Sequence, residues 1–145
     1  MSREIRPEIS KRNQYWIDKH RYYELKHFCL QYPVWRRSYD TIDGLSRWNT
    51  GFDVYSKLNI PCDTTGKCVE LRALYFDKMS MVEQTAIETD PVLAKYVFKA
   101  VTEGLSYDQL KARLGIPCSR GTYYDRYRRF FWLLNKRKNY IREEV

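Results

Sequence analysis

Two short interruptions, Gly104-Leu105-Ser106 and Gly115-Ile116-Pro117-Cys118-Ser119, divide the last third of the chain and constrain its fold more than any other stretch. Glycine tolerates the left-handed conformation that closes one helix, and serine caps the start of the next. Between them, Tyr107 to Leu114 reads as a short amphipathic helix. From about Arg120 a longer helix, rich in arginine and tyrosine, continues into Arg137 and Lys138. Two helices joined by a tight turn, the second one basic, is the outline of a helix-turn-helix. A helix of that kind fits the major groove of DNA, where its side chains reach base edges.

At 3.6 residues per turn, Tyr123, Tyr127, Phe130, Phe131 and Leu134 share one face of the last helix and are expected in a core. The opposite arc holds Thr122, Asp125, Arg128, Arg129 and Trp132, with Tyr124 and Arg126 on its shoulders. The first turn, Ser119 to Thr122, offers free backbone N–H groups and the positive end of the helix dipole, which suit a phosphate. DNA contacts are therefore expected at Ser119, Arg120, Thr122, Tyr124, Asp125, Arg128 and Arg129. Arginine can bond guanine bidentately or pin a phosphate. Lys136, Arg137 and Lys138 are expected to add phosphate contacts without sequence preference.

The rest of the chain is also helical in period. Tyr15, Tyr22, Leu25, Cys29 and Tyr32 form a stripe that predicts a helix of about five turns after Ser10. Pro33 is expected to stop or bend it, with a shorter helix from Val34 to Ile42. Gly44, Asn49, Gly51, Pro61 and Gly66 break any period, so Leu45 to Gly66 reads as a long loop. Cys68, Leu71, Tyr75, Met79, Val82 and Ala86 then predict a helix to about Thr89. Asp90-Pro91 restarts the chain as N-cap and first helical residue, and Leu93, Tyr96, Val97, Ala100 and Val101 face a core. No strand and no repeat is expected. The fold class is all-α: a helical N-terminal arm plus a C-terminal helix-turn-helix. The expected domains are 1–66, with the loop at about 44–66, and 67–145, with the helix-turn-helix at about 105–138.

A length of 145 residues suits one domain, or a small domain with an arm. Hydrophobic content of 43% and aromatic content of 16% supply a core and argue against disorder throughout. A net charge of +8 favours a polyanionic partner. Met1 to Pro7 lacks the apolar run of a signal peptide, and no window suits a membrane span, so a cytoplasmic location and mostly reduced cysteines are expected. Cys62 and Cys68, with His20 and His27, lack the spacing of a structural zinc site. Thr64-Thr65-Gly66-Lys67 echoes a phosphate-binding loop but lacks its earlier glycine and following hydroxyl residue. Asp40 with Asp43, and Glu83 with Glu88, are spaced as ordinary surface charges. No enzyme, catalytic residue, metal or cofactor is expected.

The stretch GLSYDQLKARLGIPCSRGTYYDRYRRFFWLL resembles region 4 of sigma factors and phage late-gene transcriptional regulators of the RinA/ArpU kind, over about Asp90 to Lys138. It departs from their pattern at Lys111, where a small residue is usual, and in a turn lengthened by Pro117 and Cys118. The resemblance implies a sequence-specific regulator of phage or prophage origin that binds double-stranded DNA. Alternatives are a small terminase-like packaging protein and a protein-binding inhibitor of the anti-defence type. The aromatic N-terminal run, Tyr15-Trp16, Tyr22-Tyr23, Phe28, Tyr32 and Trp35, suits core packing first, and otherwise RNA polymerase, another protein or a homodimer.

Overall fold

A computed structural model describes residues 13–48 and 66–143, and they are all-helical, with no strand among them. The helices are α1 (Lys19–Leu30), α2 (Tyr32–Trp48), α3 (Gly66–Thr89), α4 (Ala94–Glu103), α5 (Tyr107–Leu114) and α6 (Arg120–Glu143). Among the described residues, no helix is long and apolar enough to cross a membrane. These residues gather into two units, one of 13–31 with 81–143 and the other of 32–48 with 66–80. The boundary read near residue 66 falls at the start of α3, a helix that contributes to both units. Residues 49–65, most of the expected loop, lie outside the described residues, as do Cys62 and the side chain of Cys68.

Helix α1 is shorter than its apolar stripe implied. Asp18 adopts an extended conformation (φ −61°, ψ 145°) and its carboxylate accepts from the His20 amide at 3.0 Å, starting the helix at Lys19. Tyr15 lies before the helix, in a turn where its amide donates to Asn13 Oδ1 at 2.9 Å. The first helix stops at Leu30, ahead of Pro33, which sits in the first turn of α2; a proline at a helix start removes only an N–H that has no intrahelical partner. Helix α2 runs past the expected Ile42 to Trp48.

Within the second unit, Trp35, Ile42 and Met79 are buried. Arg72 stands 4.7 Å from the Tyr39 ring and donates to its hydroxyl at 3.1 Å.

The first unit is built around α1, α4 and α6. Its core includes Tyr22, Leu25 and Cys29 of α1 and Val97, Ala100 and Val101 of α4. Tyr123, Tyr127, Phe130, Phe131 and Leu134 of α6 complete it, as the helical wheel expected. The α1 stripe is thus spent largely inside this unit. The Phe131 ring packs edge-on to Tyr22 at 5.1 Å and to Phe130 at 5.1 Å. Burying each such side chain contributes roughly 1.5–3 kcal/mol. Three buried threonines satisfy their hydroxyls on their own helices: Thr85 on Met81 O at 2.6 Å, Thr89 on Thr85 O at 2.7 Å and Thr102 on Phe98 O at 2.7 Å.

The junctions at Gly104, Ser106 and Gly115 follow the sequence, whereas α4 takes Leu93 rather than Asp90 as its N-cap. Asp90 Oδ1 accepts from the amides of Val92 at 2.9 Å and Leu93 at 3.2 Å, holding a turn that leads into α4 at Ala94, three residues beyond Pro91. Gly104 (φ 71°) and Gly115 (φ 62°) close α4 and α5 in the left-handed region. Ser106 opens α5 with a reciprocal capping box. Its hydroxyl accepts from the Gln109 amide at 3.3 Å, and its own amide donates to Gln109 Oε1 at 2.9 Å.

Candidate nucleic-acid interface

Ser119 starts α6. Its hydroxyl accepts from the Thr122 amide at 3.3 Å and its carbonyl accepts from the Tyr123 amide at 3.0 Å. The Ser119 and Thr122 hydroxyls lie 3.0 Å apart, and Ser119, Arg120, Gly121 and Thr122 are all exposed. Two contacts fasten the preceding turn. Ile116 is buried beneath it, and the Tyr107 hydroxyl donates to the Cys118 carbonyl at 2.7 Å.

Arg120 projects from this turn but is held. Its guanidinium donates to Asp108 of α5 at 2.6 Å, lies 5.3 Å from the Tyr107 ring and approaches the Tyr124 hydroxyl at 3.5 Å. Both members of the ion pair are more than half exposed, at 55% and 66% of their side-chain surface. Solvent screens such an exposed pair, so a phosphate can compete for the guanidinium.

Farther along α6 the expected contact residues diverge. Asp125 accepts from Arg126 at 2.8 Å, and Arg126 also donates to Asp90 at 3.0 Å. Burial acts to raise the Asp90 carboxyl, but the Leu93 and Val92 amides and Arg126 outweigh it and hold it below the usual carboxylate value. Arg126 is therefore a structural tie between the start of α4 and α6.

Arg128 and Arg129, expected on an open arc, are half-buried, and their Nε atoms are enclosed without a hydrogen-bond partner among the described residues. Part of that arc is covered. The ring of Tyr15 packs on Trp132 at 5.5 Å, and Arg21 donates to Asn135 at 2.6 Å and to Asn139 at 3.1 Å. A helical wheel drawn from α6 alone contains none of these neighbours.

Lys136, Arg137 and Lys138 point in three directions, because consecutive helical residues are about 100° apart. Lys136 stands 3.5 Å from the Trp132 ring, Arg137 pairs with Glu88 of α3, and Lys138 stands 3.8 Å from the Phe28 ring. The structure brings together Ser119, Arg120, Thr122 and Tyr124 at the start of α6, and it does not gather the three C-terminal cations into one patch. Sequence reasoning missed Asp108 and Tyr107, which position Arg120. The signal was available in retrospect, since both lie in the first turn of the helix paired with α6. Among the described residues, no group of three or more metal-ligating side chains is assembled.

Comparison with known proteins finds no matching family model, and no curated protein and no solved structure matches the chain.

Proposed function

We propose that this chain is a sequence-specific double-stranded DNA-binding protein that regulates transcription, with α5 as the supporting helix and α6 as the recognition helix. The observation that carries the reading is the exposed first turn of α6. There Ser119, Arg120 and Thr122 surround backbone amides at a helix N-terminus, while Tyr123 and Tyr127 root the same helix in the core. The net charge of +8 supports a polyanionic partner. Ser119, Arg120, Thr122 and Tyr124 are the contacts nearest the groove in this reading. The phage or prophage origin rests on the resemblance of residues 90–138 alone.

Selection from a random duplex library, using the full chain, tests the proposal. Enrichment of one motif, bound more tightly than a scrambled duplex at the same salt, is the expected result. A library that stays random through repeated rounds would overturn it.

A further inference from the structure

The first unit contains a cleft of about 260 Å³ between α1, the α4–α5 junction and the start of α6. Its floor is apolar, formed by Leu30, Ala100, Val101 and Phe131. Tyr107 and Tyr124 add aromatic surface and hydroxyls to its lining. Lys26, Arg120 and Asp108 also line it, so its ionised side chains carry one net positive charge.

We propose that this cleft binds a small aromatic carboxylate. Flat rings suit the partly exposed rings of Tyr107 and Tyr124, where edge-to-face and offset contacts add to the burial of apolar area. The volume lies just below the range of pockets for drug-sized ligands, which limits the occupant to one or two rings. The sign of the ligand follows from Lys26 and Arg120. A carboxylate that meets these cations gains charge-assisted hydrogen bonds and can share the Arg120 guanidinium with Asp108. A neutral ligand of equal shape gains only the apolar part. The inference concerns ligand binding alone and holds whether or not α6 meets DNA.

Titration of the full chain with 2-naphthoate, followed by amide chemical shifts without any DNA present, tests the cleft. Saturable shifts at Val101, Leu105 and Tyr124 are expected, with 2-naphthamide binding about tenfold more weakly. Lys26→Gln should weaken 2-naphthoate by about tenfold and leave 2-naphthamide unchanged. Absence of saturation at millimolar ligand, equal affinity for acid and amide, or shifts confined to other surfaces would overturn the proposal.

Discussion

The hydroxyls of Tyr22 on α1 and Tyr127 on α6 lie 2.8 Å apart in the core of the first unit. This buried hydrogen bond joins the start of the described chain to the proposed recognition helix, across a sequence separation of 105 residues. Replacing either residue by phenylalanine removes this buried hydrogen bond and should cost about 0.5–1.5 kcal/mol. Replacing both should cost less than the sum of the two, because both changes remove the same hydrogen bond. Chemical denaturation of the four proteins checks this; strictly additive losses would contradict it. Tyr127→Ala should cost more, roughly 3–5 kcal/mol, through the cavity left beside Phe131.

The helices flanking the Gly104 and Gly115 junctions were legible in the sequence because glycine, serine and glutamine act there locally, on the residues they cap. The core face of α6 was legible for the same reason: helical period alone selects it. Elsewhere local reasoning ran out. The stripe beginning at Tyr15 continued the helical period upstream of Asp18, although the chain turns there. The half-burial of Arg128 and Arg129, and the tie from Arg21 to Asn135, depend on partners distant in sequence, which no wheel contains.

Alkaline pH should unfold the first unit. Burial, and then the neighbouring Tyr22 phenol, raise the Tyr123 and Tyr127 phenols above their ordinary value of 10.0. A group whose folded value exceeds its unfolded value supplies stability that is complete below the unfolded value and is lost as pH rises toward the folded one. Melting temperature should therefore fall steeply above about pH 10, in step with late phenolate absorbance. A melting temperature unchanged to about pH 12 would contradict the burial of these two hydroxyls.

Gly121 occupies the first turn of α6, and an added Cβ there would meet no atom within 4 Å. Its φ lies outside the positive region where glycine is favoured, so the residue brings flexibility without a conformational need. Gly121→Ala should stabilise the fold by about 0.5–1 kcal/mol, through lower backbone entropy in the unfolded chain. Thermal melts would show it, and a lower melting temperature would contradict the open geometry described for this turn.

Thr122 lies three residues after the cap Ser119, the position where glutamate completes a capping box. Thr122→Glu should therefore keep or raise the melting temperature, since a carboxylate also suits the helix dipole at this end. The same carboxylate would face the phosphates that the proposed interface binds. A binding titration of this variant against the selected duplex, beside its thermal melt, separates folding from DNA contact. A folded variant that binds at least about tenfold more weakly than the unaltered chain is the predicted result; a folded variant that binds the duplex equally tightly would contradict the placement of the first turn of α6 on DNA.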